Sequence, residues 1–224
     1  MLQKENPGSN HFIFENRFLF LLILFFVMLL VGPFIKDYSR LRYVFDLAIS
    51  AIFLTAIYAI VEKIRHLIIS VCLAIPYLAS VWLKYIMEER VLLVIGEIGG
   101  ILFFAYTISN ILKYAIKQKE VTKETIFAAL VIYMLGAFMW ARAYSLLEIL
   151  EPGSFSMPEG HFISNRVVFL YFSFVTITTL GYGDISPLTD KAGGLAIIEA
   201  ISGQIYLVVL VAWLVGMHVS KRSK

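Results

Sequence analysis

Residues 167–184 read VVFLYFSFVTITTLGYGD. The apolar run from Val167 to Leu180 is 14 residues long, ends in Gly-Tyr-Gly-Asp and is followed closely by Pro187. A helix crossing the hydrocarbon core of a bilayer needs about 20 mostly apolar residues, so this run is too short to span one. Its length suits a re-entrant segment. Irregular backbone at membrane depth survives only where protein buries it or where it lines a watery cavity.

The surrounding sequence makes a membrane the setting. Of 224 residues, 60% are hydrophobic and 16% are charged, against about 45–50% and about 25% in soluble domains. So few charges cannot cover a water-soluble surface, which excludes a soluble enzyme. The net charge is only +3 and the bases cluster at the edges of apolar runs, so nucleic acid is not a partner. Cys72, the single cysteine, lies inside an apolar run. An intrachain disulfide and a cysteine metal site are both excluded.

Six longer apolar runs accompany the short one. They are Phe18–Ile35, Tyr43–Val61 (interrupted by Asp46), Leu67–Leu83, Val91–Leu112 (with Glu97), Thr125–Leu147 (with Arg142) and Ala192–Met217 (with Glu199). The expected fold class is an all-α membrane protein with six transmembrane helices plus a re-entrant pore helix and loop. The first run reads as a retained helix that Gly32-Pro33 kinks or ends, because its core is too long for a leader and no small-residue cleavage site follows. Residues 1–16 read as a disordered cytoplasmic N-terminus. Placing both termini in the cytoplasm puts Lys4, Arg17, Lys63, Arg65, Lys113, Lys117, Lys119, Lys123, Lys221, Arg222 and Lys224 inside, the majority of the bases. The first loop, with Lys36, Arg40 and Arg42, argues the other way.

The chemistry of Thr178-Thr179-Leu180-Gly181-Tyr182-Gly183-Asp184 suits a dehydrated potassium ion, which needs a cage of oxygens in place of water. Carboxylates would hold it too tightly to release, whereas backbone carbonyls permit multi-site conduction. Turning successive carbonyls toward one axis needs φ values that Gly181 and Gly183 adopt freely. Thr179 adds a hydroxyl and a carbonyl, and Tyr182 points away to brace the loop. The preceding segment, about 165–177, reads as a short helix capped by Ser164 or Asn165, its negative dipole end favouring a cation. One chain cannot surround an ion with one such loop, so four copies with cyclic symmetry are expected.

Thr176-Ile177-Thr178-Thr179-Leu180-Gly181-Tyr182-Gly183-Asp184 resembles the signature of tetrameric potassium channels almost letter for letter. The likeness extends from about Lys123 to Lys224. It is similar in particular to bacterial six-helix channel proteins whose last helix reads like Glu199-Ala200-Ile201-Ser202-Gly203-Gln204-Ile205-Tyr206-Leu207. The resemblance implies that Thr179, Leu180, Gly181, Tyr182 and Gly183 contact potassium, with Thr178, Asp184, Tyr171 and Val175 as filter support. Part of the family pairs the acid matching Asp184 with a carboxylate on the pore helix. Val175 stands there, so that pairing is absent, and Tyr171 keeps a hydroxyl within reach of Asp184. Gly203 matches a gating hinge or, equally, a close contact with the pore helix. Gln204, Leu207, Val211 and Val215 fall at helical spacing and line the cavity. Potassium in the filter is the only bound species implied, with no organic cofactor.

Charges inside helices are costly, at least about 2.5–3.5 kcal/mol each near the bilayer centre. Arg142 and Glu199 form a candidate intramembrane pair; alternatively, Arg142 reaches the outer headgroups. Asp46 is interfacial, and the sequence names no partner for Glu97. Glu148, Glu151 and Glu159 surround the outer mouth, where they concentrate cations or simply form a solvated loop.

A voltage sensor requires bases at every third position of the fourth helix, yet Val91–Leu112 contains none. Voltage gating in the usual manner is therefore not expected. Lys113, Lys117, Lys119 and Lys123 instead read as an amphipathic linker on anionic inner-leaflet lipid. With about seven residues after the sixth run, too few for a nucleotide- or calcium-binding module, gating is expected within the membrane part, at the filter, from lipid or from a partner.

The expected organisation is a four-helix transmembrane domain over 17–117 in the sensor position, then a pore domain over 118–224. The latter comprises an outer helix 124–148, a pore helix 165–177, a filter 178–184 and an inner helix 192–219. The function expected is passive, potassium-selective conduction by a homotetramer in a prokaryotic plasma (inner) membrane. The rivals are a weakly selective cation channel, a non-conducting membrane subunit and a secondary transporter. A transporter should show interrupted helices in both halves, and the first half has no counterpart of the re-entrant run. A membrane enzyme would need clustered polar groups, whereas His11, His66, His161 and His218 are scattered.

Overall fold

The computed structural model describes residues 16–31, 42–61, 63–87, 89–118, 120–157 and 165–222. Seven helices follow in chain order: α1 (Arg17–Val31), α2 (Arg42–Ile60), α3 (Ile64–Leu83), α4 (Arg90–Lys117), α5 (Lys123–Leu150), α6 (Asn165–Ile177) and α7 (Asp190–Arg222). Two-residue strands β1 (Phe155–Ser156) and β2 (Ser186–Pro187) pair antiparallel on either side of α6. The protein is an all-α membrane protein: α2, α3, α4, α5 and α7 are long and apolar enough to cross a bilayer, whereas α1 and α6 are shorter apolar helices. The expected tail and the Gly32-Pro33 break lie outside the described residues.

Lipid tails are as apolar as leucine, so helices in a membrane associate through close packing rather than exclusion from water. Small residues supply that approach between α3 and α4. A Cβ added at Gly96 would lie 2.2 Å from Ser80 Oγ, one at Gly99 2.9 Å from Pro76 Cβ, and one at Gly100 2.9 Å from the Tyr77 ring. On α5, Ala128, Ala129, Ala137 and Ala141 are buried in the same manner. Aromatic rings fill the wider gaps. Phe53 of α2 stacks on Tyr77 and Phe103, with centroids 4.9 and 4.3 Å apart, and Phe25 of α1 meets Phe138 of α5 at 4.9 Å.

The connection from α4 to α5 differs from the expectation of a linker lying on the leaflet. Lys113 and Lys117 belong to the last turns of α4, Lys123 opens α5, and only residues 118–122 separate the two helices; Lys119 lies outside the described residues. Thr122 caps α5 by accepting from the Thr125 N–H at 3.1 Å, with Glu124 in the first turn, as the free amides and positive end of a helix favour. Arg17 of α1 pairs with Glu124 at 3.3 Å. A turn this tight folds α4 back along α5, so the four-helix unit packs on α5. At the opposite end of the bundle Asp46 takes Lys84 Nζ at 2.7 Å and the Tyr85 hydroxyl at 2.6 Å. It is thus a buried, paired acid.

The glycine face yields the first prediction. Gly96→Ala forces α3 and α4 apart and should lower stability by about 1–3 kcal/mol, the usual cost of overpacking. Combining it with Ser80→Gly removes both colliding atoms and should restore most of the loss, as read by thermal unfolding in detergent.

Candidate functional site

The short helix α6 spans 165–177, and its C-terminal end is the structural key. The Thr179 N–H reaches Thr176 O at 2.9 Å, and the Leu180 N–H reaches Val175 O at 2.9 Å. These are the two bonds of a Schellman cap, which requires a left-handed residue just past the helix. That residue is Thr179, with φ of 58°, the one non-glycine with positive φ among the described residues. A β-branched side chain there costs of order 1–3 kcal/mol, a strain held only where the surroundings over-determine it. Its hydroxyl donates to Thr178 O at 2.7 Å, and the Thr178 hydroxyl donates to Phe174 O at 2.6 Å.

Left-handed φ then recurs at every second residue, with 59° at Gly181 and 78° at Gly183. Backbones that alternate right- and left-handed residues gather consecutive N–H groups on one side, as in nests. No atom lies within 4 Å of where a Cβ would stand on Gly181 or Gly183. Conformation, not crowding, is what calls for glycine here. Thr178 to Asp184 is exposed on the single chain.

Both ends of this segment are fastened. Asp184 accepts from the Tyr171 hydroxyl at 2.7 Å and from its neighbour's Ile185 N–H at 3.1 Å, so the tyrosine reaches the acid as its position allows. Beyond it, Phe155 pairs with Pro187 across β1 and β2, and the Leu188 N–H reaches Ser154 O at 2.8 Å. At the inner end, the Tyr133 hydroxyl of α5 donates to Ile177 O at 3.0 Å. Gly203 of α7 lies so close that a Cβ would fall 2.6 Å from Ile177 Cγ1 and 2.8 Å from Ile177 O. Gly203 thus packs closely against α6. Behind α6, the rings of Tyr144, Phe155, Phe169 and Phe172 form a buried cluster, with centroids 4.9–5.5 Å apart for the pairs Tyr144–Phe172, Tyr144–Phe155 and Phe155–Phe169. Val175, also buried, presents no acid to Asp184.

The expected Arg142–Glu199 pair is not formed. Arg142 on α5 turns toward α3 and α4, where its Nη1 donates to the Tyr77 hydroxyl at 2.8 Å and lies 3.5 Å from Glu97 Oε2. It is 2% exposed, so it does not reach the headgroups either. Glu199 instead accepts from the Tyr144 hydroxyl and meets Ser173 of α6. Around the outer loop, Glu148 accepts from the Gly153 N–H at 2.8 Å and Glu151 pairs with Lys191; Glu159 and Ser164 lie outside the described residues. Gln204, Leu207, Val211 and Val215 are exposed along one face of α7.

Sequence reasoning passed over Tyr133, Ser173, Tyr144 and Tyr206, whose hydroxyl donates to Ala129 O at 2.6 Å. The available signal was a tyrosine within a long apolar helix, since a buried hydroxyl seeks a partner.

Residues 121–219 match the model of a family described as ion channel. The match takes in α5, α6, the 178–184 segment and most of α7, somewhat under half of the chain, and supports an ion channel rather than an enzyme. No curated protein and no solved structure matches the chain. Within the matched residues, Arg142 and Glu124 both engage the four-helix unit electrostatically, through Glu97 and Arg17 respectively.

Removing one partner of a buried pair leaves an uncompensated charge and costs about 3–5 kcal/mol. Glu97→Leu should therefore destabilise the channel by that order in thermal unfolding. Glu97→Leu with Arg142→Met, which removes both charges, should be more stable than Glu97→Leu alone.

Proposed function

We propose that the protein is a potassium-selective channel in which four copies of residues 178–184 surround one axis. The observation that carries this reading is the alternation of left-handed φ at Thr179, Gly181 and Gly183 directly after a short capped helix. Carbonyls turned to one side by that backbone form an oxygen cage of weak dipoles, which strips water from a cation yet releases it. Thr179, Leu180, Gly181, Tyr182 and Gly183 supply the cage. Thr178, Tyr171 and Asp184 hold it, and Val175 packs behind it. Gln204, Leu207, Val211 and Val215 face the water-filled cavity on the cytoplasmic side, with both termini also cytoplasmic. The six-span topology in a plasma (inner) membrane, and anionic lipid at Lys113, Lys117, Lys119 and Lys123, belong to the same reading.

Gating by voltage in the usual manner is not part of it. Moving one charge across 100 mV is worth about 2.3 kcal/mol, but a sensor needs charges free to move. The acid on α4, Glu97, is engaged with Arg142 of the outer helix, and α4 carries no base between Arg90 and Lys113. The four-helix unit reads as a fixed buttress for the pore.

The test is the reversal potential of purified protein in planar bilayers, with potassium on one side and sodium on the other. The current should reverse near the potassium equilibrium potential, and Gly181→Ala, which places a Cβ on a left-handed residue, should abolish selective current. Reversal near zero in the unaltered protein would overturn potassium selectivity.

A further inference from the structure

Glu199 is fully buried on α7, and none of the carbonyl chemistry above uses it. Its carboxyl joins three helices. The Tyr144 hydroxyl of α5 donates to Oε2, Ser173 of α6 meets Oε1, and Ser173 Oγ also lies 2.7 Å from the carbonyl of Ala137 on α5. One turn further along both α7 and α6 stands a second contact, Gly203 against Ile177. Residues four apart share a helix face, so 199 and 203 on the inner helix meet 173 and 177 on the pore helix as two rungs of one ladder. The upper rung is polar, and the lower one is a steric fit adjoining the filter.

We propose that Glu199 is a positioning residue for the filter, holding the pore helix on the inner helix through Ser173 and so setting how well the carbonyl cage discriminates potassium from sodium. This rests on the reading of residues 178–184 as a filter. The chain has Val175 where a carboxylate on the pore helix could have reached Asp184, and Glu199 places a carboxyl behind the same helix from a different element. The serine carries one proton for two neighbouring oxygens. A side chain at 199 must therefore accept from Tyr144 and also satisfy Ser173. Glutamine does both, its carbonyl facing Tyr144 and its amide facing Ser173, which leaves the serine proton for Ala137. Leucine does neither.

The experiment compares unaltered protein, Glu199→Gln and Glu199→Leu for assembly by size and for the potassium-to-sodium permeability ratio from reversal potentials. The ratio should persist in Glu199→Gln and fall about tenfold in assembled Glu199→Leu, the scale of losing one buried hydrogen bond. An assembled Glu199→Leu with an unchanged ratio overturns the proposal, as does a Glu199→Gln that fails like leucine. Should Glu199→Leu not assemble, Ser173→Ala removes only the hydroxyl, and an unchanged ratio there overturns the proposal equally. Failure of the unaltered protein to discriminate the two ions would instead overturn the filter reading itself.

Discussion

A chain that leaves helical conformation at membrane depth must find a partner for each amide and carbonyl it frees, because hydrocarbon offers none. Everything around residues 178–184 follows from that constraint. The Schellman cap takes the Thr179 and Leu180 amides back into α6, Tyr133 takes the last helical carbonyl, and Tyr171 holds Asp184. In the proposed filter, the carbonyls of the segment that follows are the ones offered to a cation. A strained Thr179 fits this account: its backbone must be left-handed for the cap, and glycine would supply no hydroxyl.

The same constraint governs the buried charges. Two acids and one base lie at similar depth in the bundle, and they are not arranged as a simple triad. Arg142 engages Glu97 and Tyr77 and so ties the four-helix unit to α5, while Glu199 meets hydroxyls and ties α6 to α7. One set of contacts fixes the four-helix unit and the other fixes α6 and α7, with α5 taking part in both. The acid within α4 is thus held by its neighbour on α5.

Much of this was legible in the sequence and part of it was not, for a reason that is geometric. A short helix falls at 165–177 as its apolar length and following glycines require, since those signals are local. The outer and inner helices run a few residues longer at their ends than the apolar runs alone indicate. The Arg142–Glu199 expectation failed because apolar runs give a residue's depth but not its direction around the helix. Residues 142 and 144 are about 200° apart on α5, so when Arg142 faces α4, Tyr144 faces the pore helix and Glu199. That rotation is set by the glycine face of α4, where Gly100 leaves room for Tyr77 and for the Arg142 stem, 3.4 Å from an added Cβ. The linker expectation failed similarly: a lysine spacing consistent with a surface helix also fits the end of one helix and the start of the next. Ser173 gave no periodic signal at all, because a single small polar residue in a short apolar helix reveals its partner only when the helices are assembled.

The most direct test of the account is to crystallise the protein with thallium as a potassium substitute and map its anomalous scattering. The account predicts ions in single file on a fourfold axis, each ringed by carbonyls of Thr179 to Gly183 from four chains. An ordered filter segment with no ion density on such an axis, or an assembly lacking that axis, would contradict it.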